Sequence, residues 1–315
     1  MLSIVIITMN TRDLLDSLLR SIEADGGLRP MIEDVVVVDN GSSDGTDAMI
    51  ADGYPWVSCV KNRENRGFAA AVNIGYRSSK GKLVLLLNSD TRLIPGQTAK
   101  MVEFMERDPH IGIAGPQLVY EDMRPQRSFA LTPSMAFEVL PRSLLERVLP
   151  GRFRTKGIGL TGPLDVESLI GAAIMVRREV LDLLGGFDER FFFYLEETDF
   201  CLRAGKEGKR VVFFPGAKLV HLQGKTVGRS WVRGRIEYSI SLYKFMRKYH
   251  SPAYYGAFIL VRAIKAFLFL LVMTVLPFFF FSESIRRKYH YYARLLVWHF
   301  RGFPDSGGLR LNSRE

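Results

Sequence analysis

Leu83 to Leu87 form an unbroken apolar run that ends in Asn88-Ser89-Asp90. Such a run reads as a strand buried on both faces. At an extended strand end, side chains at i and i+2 point the same way. Asn88 and Asp90 can therefore offer two hard oxygen ligands to a divalent cation that holds a diphosphate. A polar turn after a core strand uses the same residue types. Two further clusters sit at comparable places. Asp39 closes the run Val35 to Val38 and opens the turn-rich Asn40-Gly41-Ser42-Ser43-Asp44-Gly45-Thr46; its carboxylate can accept hydrogen bonds from a base or a ribose. Asn65-Arg66-Gly67 precede a helix that carries Asn73. Arg66 can pair with phosphate, and Gly67 lets backbone approach closely. Each cluster alone is ordinary loop chemistry. Three at the carboxyl ends of neighbouring strands describe a ligand edge, because open α/β sheets bind ligands there.

The elements that must position these residues alternate along the chain. Ser3 to Thr8 reads as the first buried strand, and Arg12 to Ala24 as a helix capped by Asn10 or Thr11. Asp34 to Asp39 is the second strand, with a helix following to about Ala51. Trp56 to Lys61 is the third, and Leu83 to Leu87 the fourth. Short links between them argue for a parallel, helix-covered sheet. Gly96 to Arg107 is a further helix. Ile111 to Val119 contains Gly115-Pro116, so this strand is expected to be kinked or to lie at an edge. Residues 121 to 165 are irregular, as functional loops often are. Gly171-Ala172-Ala173 leads an apolar run with small residues, which either leave room beside a ligand or pack closely. Lys209 to Phe214 and Lys218 to Leu222 read as two short strands around Pro215-Gly216. A helix starting near Glu196 carries Glu196, Glu197 and Asp199 in its first turn, where acids also compensate the helix dipole. No G-x-G-x-x-G or G-x-x-x-x-G-K-[ST] follows the first strand, which disfavours a dinucleotide fold and a P-loop.

With 315 residues the chain can build a sizeable core, in one large domain or in one domain plus an appendage. Cys59 and Cys201 make neither a disulfide framework nor a zinc spacing, which suits a reducing compartment. The N-terminus begins directly on a strand pattern, with no signal peptide expected. The net charge of +10 gathers after about residue 203. The cations flank an apolar segment and are not interleaved with aromatics in a nucleic-acid module, so no nucleic-acid partner is expected.

Ser3-Ile4-Val5-Ile6-Ile7-Thr8-Met9-Asn10, Val37 to Thr46, Asn65 to Asn73, Leu87-Asn88-Ser89-Asp90 and Gly185-Gly186-Phe187-Asp188-Glu189 with the acids at 196 to 199 resemble family 2 glycosyltransferases of the A-type nucleotide-sugar fold, in the bacterial rhamnosyltransferase-like branch. The resemblance covers about residues 1 to 250. It implies an α/β, Rossmann-like fold with a mostly parallel central sheet. It implies that Asp39 binds the nucleotide base, and that Thr8, Asn10, Asn65, Arg66, Gly67, Asn73, Asn88, Ser89 and Asp90 line the nucleotide-sugar site. Asn88-x-Asp90 fills the place of the family's metal-binding D-x-D, with Asn where the pattern has Asp. With His221, these residues would hold a divalent cation, Mg²⁺ or Mn²⁺. The catalytic base of inverting members falls at Glu197 first, Asp199 second and Glu196 third. Lys225, Arg229 and Arg233 could meet diphosphate or form a solvated face. No Gln-x-x-Arg-Trp follows, which argues for addition of one or a few sugars.

A catalytic domain over residues 1–229 and a helical, membrane-associated region over 230–315 follow from this reading. Residues 253 to 281 are strongly apolar, with Arg262 and Lys265 in the first half and basic residues on both flanks. A single span would leave one basic flank outside, against the usual bias. An in-plane or re-entrant segment is preferred; it spans only if Arg262 and Lys265 snorkel or face protein. The expectation is an inverting transfer of one sugar, dTDP-rhamnose before a UDP-sugar, to a lipid-linked saccharide at the cytoplasmic face of a bacterial membrane. A homodimer is left open. The competing reading is a non-catalytic nucleotide-sugar- or polysaccharide-binding membrane subunit.

Overall fold

The buried apolar runs pair edge to edge in the computed structural model, which describes residues 1–140, 142–148, 160–222, 231–275 and 282–310. Strands β1 (Leu2–Thr8), β2 (Ile32–Asp39), β3 (Ser58–Lys61) and β4 (Leu83–Asn88) form a parallel block. Helices α1 (Arg12–Glu23), α2 (Thr46–Gly53) and α3 (Phe68–Ser78) fall between them. Then come β5 (Thr91–Arg92), α4 (Gln97–Arg107), β6 (Ile111–Val119), β7 (Phe129–Ala130), α5 (Met135–Val139) and α6 (Arg142–Val148). They are followed by β8 (Leu164–Asp165), β9 (Ser168–Leu169), β10 (Ala173–Arg177), α7 (Arg178–Leu184), α8 (Glu196–Lys206) and β11 (Arg210–His221). The main sheet runs β3-β2-β1-β4-β10-β6-β11-β5, with β8 beside β11; β7 and β9 make a separate ladder. β10 lies antiparallel to both its neighbours, and β6 and β11 pair in parallel.

Alternation along the strands feeds two cores. Ile4, Ile6, Val35 and Val37 face one side, packed with Leu15, Leu18, Leu19 and Ile22 of α1. Val5, Val36 and Val38 face the other, packed with Ala69 and Val72 of α3 and with Phe200. A strand buried on both faces must be apolar at every position, which is why these runs stand out in the sequence. Each fully buried side chain of α1 contributes about 1.5–3 kcal/mol, which anchors the helix against the sheet.

Two expectations change. β6 is neither kinked out nor at an edge: all nine residues are buried and it lies between β10 and β11. Pro116 is tolerated because the irregularity falls on its partner. The register with β11 jumps from Phe214↔Pro116 to Lys218↔Gln117, so β11 bulges where Pro116 cannot donate. For the same reason the two short strands expected around Pro215-Gly216 are one strand, interrupted by that bulge.

The chain divides into two compact units. The first comprises Met1–Thr132, Gly151–Glu189 and Glu196–Thr226, and carries the sheet. The second comprises Pro133–Pro150, Arg190–Leu195 and Val227–Glu315. Its main helices are α9 (Trp231–Tyr249), α10 (Pro252–Val275) and α11 (Glu283–Phe300). An aromatic cluster holds them: Tyr243 of α9 meets Phe258 of α10, and Trp298 and His299 of α11, edge-on. Among the described residues α10 alone is long and apolar enough to cross a membrane, and only 22% of its most apolar window is buried. The two cations expected to snorkel or face protein both find partners. Arg262 is 5% exposed and pairs with Glu138 at 3.0 Å, and Lys265 donates to the Glu138 carbonyl at 2.9 Å.

Candidate active site

The strand register sets the site. Thr8 pairs with Asp39, Asp39 with Lys61, and Ile7 with Asn88, so β1 to β4 end together. Asp39 is fully buried. Its Oδ1 accepts the Ser42 N–H at 2.8 Å, while its Oδ2 is buried without a hydrogen-bond partner. An unanswered buried carboxylate oxygen is costly, and a ligand N–H or O–H would relieve it. A run of hydroxyls ties the strand ends: Thr8 Oγ1 to Thr11 Oγ1 at 2.9 Å, and Thr11 Oγ1 to Ser89 Oγ at 2.7 Å. Thr11 therefore spends its hydroxyl on the edge and does not cap α1; Asp44 Oδ2 accepts the Arg12 N–H instead, at 2.9 Å.

Asn10 takes a left-handed backbone (φ 51°) and accepts the Ser43 N–H at 2.8 Å, which folds the 40–46 loop over the end of β1. Gly41, at φ 86°, has no room for a Cβ, which would meet the Glu64 backbone at 2.9 Å. Asn65 Oδ1 accepts from Asn40 Nδ2 and from the Gly67 N–H. The Arg66 N–H donates to Asn40 Oδ1, and its side chain is exposed. Gly67 (φ 87°) stands at the N-cap of α3.

Asn73 differs from its expected place on the donor. It is 1% exposed. Its two amide hydrogens go to the Phe187 carbonyl and Glu189 Oε1, both at 2.9 Å, and its Oδ1 accepts the Phe187 N–H at 2.8 Å. Asn73 holds the Gly185-to-Glu189 loop and has no amide hydrogen left for a ligand. Gly186 is required there, since a Cβ would lie 2.3 Å from Asn73 Oδ1.

Asp90 and His221 meet because β11 closes against β5. His221 pairs with Thr91, and the Leu222 N–H donates to the Asp90 carbonyl at 2.8 Å. His221 Nε2 lies 3.6 Å from Asp90 Oδ1. Its Nδ1 lies 3.0 Å from Gln126 Oε1, and Gln126 Nε2 donates to the His221 carbonyl. This amide orientation places the ring hydrogen on Nδ1 and leaves the Nε2 lone pair on the Asp90 side. Asn88 Oδ1 is buried without a hydrogen-bond partner. The donor set fits a divalent cation that draws its remaining ligands from a diphosphate and water. Among the described residues no group of three His, Cys, Asp or Glu side chains is gathered to hold a metal alone.

The acids of α8 separate in role. The Asn88 N–H donates to the Ala172 carbonyl at 3.0 Å, which brings Gly171 beside the end of β4. Glu197 lies against Gly171, with its Cγ 3.6 Å from where a Cβ would sit. Burial raises the Glu197 carboxyl above its ordinary value, while the N–H groups of Glu197, Thr198 and Gly171 and the charge of Arg127 pull the other way. Its Oε2 is buried with no hydrogen-bond partner. Asp199 is fully buried and pairs with Arg203 at 2.8 Å. Arg203 also donates to the Leu184 and Gly186 carbonyls, so this pair braces the same loop as Asn73. Glu196 is 4% exposed. Tyr194 and Leu195, immediately before α8, are both left-handed (φ 74° and 65°), a backbone cost of the kind found at functional sites. Sequence reasoning missed Gln126 and Arg127, which lie in the irregular 121–165 stretch. Of the expected diphosphate cations, Lys225 and Arg229 lie outside the described residues, and Arg233 donates to the Gly308 carbonyl within the helical unit.

A curled, mostly parallel sheet with an Asp, an Asn-x-Asp and a helix-borne acid along one edge defines a nucleotide-sugar transferase of the A type. The model of glycosyl transferase family 2 matches residues 3–185, more than half of the chain, and the protein belongs to that family. It is 29% identical over 237 residues to the N-acetylglucosaminyl-diphospho-decaprenol L-rhamnosyltransferase of Mycobacterium tuberculosis, covering 69% of this chain and 75% of that one. It is 27% identical over 232 residues to the dTDP-rhamnosyl transferase RfbF of Shigella flexneri, covering 72% and 70%. The mannosyltransferase PcManGT of Pyrobaculum calidifontis, solved with GDP-Man and Mn²⁺, shares the fold: its TM-score is 0.58 at 19% identity, over 97% of this chain and 87% of that structure.

Proposed function

We propose that this glycosyltransferase inverts the anomeric centre of a nucleotide-sugar, dTDP-rhamnose, while adding one sugar to a lipid-linked saccharide at the cytoplasmic face of a bacterial membrane. The observation that carries the inverting chemistry is the Glu197 carboxylate, with an unpartnered Oε2, beside Gly171 at the end of β4. Glu197 accepts the proton of the acceptor hydroxyl as its oxygen bonds to the anomeric carbon. The bond from that carbon to the diphosphate breaks, and the nucleoside diphosphate leaves with the electron pair. Asp39 holds the base or ribose through its unanswered Oδ2. Asp90 and His221, with Asn88, would hold the divalent cation, which when bound stabilises charge on the leaving diphosphate. The rhamnosyl donor and the lipid-linked acceptor are supported by the names of the two rhamnosyltransferase relatives, and the membrane association by α10.

Calorimetry with dTDP, UDP and GDP, each with Mn²⁺, tests the donor; dTDP is expected to bind and to lose affinity in Asp90→Ala. Exclusive binding of UDP or GDP would remove dTDP-rhamnose. Glu197→Gln should keep nucleotide binding and lose transfer by a factor of about 10² or more. Full transfer by that variant would remove Glu197 as base.

A further inference from the structure

The helical unit contains a cavity of about 190 Å³. Whole small-molecule pockets start near ~300 Å³, so this one suits a head group. Among its described lining residues, Arg235, Arg262, Lys265 and Lys288 face one carboxylate, Glu138. Glu138 is already taken by Arg262 at 3.0 Å and Lys265 at 3.6 Å. Arg235 stacks on Trp231 at 5.3 Å, and no carboxylate among the described residues pairs with it or with Lys288. The buried Arg262 guanidinium donates to Glu138, Ser239 Oγ and Tyr291 OH, yet its Nε has no acceptor. A buried donor of this kind is costly until an acceptor arrives. The cavity thus has surplus positive charge in its wall, and Arg262, one of its lining residues, keeps an unanswered buried N–H. Those are the requirements of a multiply charged phosphate oxyanion.

The same helix says what is attached to that anion. Arg262 and Lys265 lie on α10, which also carries the exposed apolar residues Leu260, Ile264, Phe267, Leu268 and Leu271. Free phosphate would use the cavity and ignore this strip. A diphosphate joined to a long hydrocarbon chain would use both.

We propose that this cavity binds the diphosphate of a lipid diphosphate, with the hydrocarbon chain laid along α10. The proposal rests on the reading of a lipid-linked acceptor and gives its anionic group a place in the helical unit.

Binding is measured on the full chain in neutral detergent with farnesyl diphosphate, farnesol and inorganic pyrophosphate as probes. Arg235 and Lys288 are exposed, so Arg235→Gln with Lys288→Gln should fold. Arg107→Gln, an exposed cation on α4, is the charge control. Wild type should bind farnesyl diphosphate at least tenfold tighter than either pyrophosphate or farnesol. The double variant should lose at least tenfold, and the control should not change. Equal affinity in the double variant and wild type would overturn the site. Pyrophosphate binding as tightly as farnesyl diphosphate would make it a free-anion site and overturn the lipid assignment. Displacement by equimolar phosphatidylglycerol would make it a general head-group surface, with the same consequence. Binding of dTDP with Mn²⁺ is followed on the same samples. If nucleotide binds and farnesyl diphosphate does not, only this inference fails; if wild type binds no nucleotide, the proposed function fails whatever the lipid does.

Discussion

Replacing Gln126 with leucine should weaken Mn²⁺ binding without unfolding the sheet. Gln126 is 3% exposed and makes two contacts to His221, Oε1 to Nδ1 at 3.0 Å and Nε2 to the carbonyl at 2.6 Å. Its backbone N–H is separately anchored to the Leu118 carbonyl at 2.8 Å, so the chain path does not depend on the side chain. Leucine has a similar volume and no acceptor. The imidazole would then be free to place its hydrogen on Nε2, facing Asp90, and to rotate. Loss of a partner that orients a metal-binding His costs 10–100-fold in affinity, about 1.4–2.8 kcal/mol. The readout is the free Mn²⁺ signal in electron paramagnetic resonance, titrated with dTDP present. Gln126→Glu supplies the decisive comparison: a carboxylate still accepts from Nδ1–H, so it should bind Mn²⁺ within about threefold of wild type, far from the leucine loss. If the two variants weaken binding equally, the tautomer argument is refuted. If neither does, His221 is not a ligand.

Two further outcomes follow from the acids and the loop. Burial raises the folded-state value of Glu197 above the ordinary 4.5, so the ionised form carries a cost that is fully present above the raised value and fades as pH falls towards 4.5. Glu197→Gln should therefore melt higher than wild type near neutrality and equal to it at acid pH, and wild-type transfer should fall on the acid side above the usual carboxylate range; a melting difference independent of pH would contradict this. Asn73→Ala strips three hydrogen bonds from Phe187 and Glu189 and strands a buried backbone N–H, for roughly 1–3 kcal/mol. In a domain of this size that is a fall of about 2–4 °C in Tm per kcal/mol, read by calorimetry, and an unchanged Tm would show that the loop is held elsewhere.

The donor edge was legible because strands buried on both faces announce themselves, and their last residues, Asp39 and Asn88 to Asp90, fall at one edge by topology alone. The acids of α8 were legible as a group, but their separate roles were not. Asp199 and Glu197 have similar chemistry in sequence; only Arg203, four residues after Asp199, and Gly171, in the turn before β10, distinguish them. Gln126 was hidden because it sits in an irregular stretch whose course is set by distant pairing, such as Val119 with Pro125. Asn73 misled because a polar residue within the helix that follows a ligand loop reads the same whether it faces the ligand or the scaffold. Arg262 and Glu138 lie 124 residues apart, and no local pattern links them.

The bulge in β11 acts as an expansion joint. Pro215, Gly216 and Ala217 have no partners in the β6 register, while Arg210 to Phe214 and Lys218 to Val220 are each locked to β6 on either side. A residue gained or lost inside the joint can be absorbed there, leaving both halves in frame. A residue gained or lost between Lys218 and His221 cannot. Side chains alternate faces along a strand, so a single step would turn His221 to the opposite side of the sheet, away from Asp90. Variation in length should therefore be harmless three residues upstream of Lys218 and fatal to the proposed metal site just beyond it.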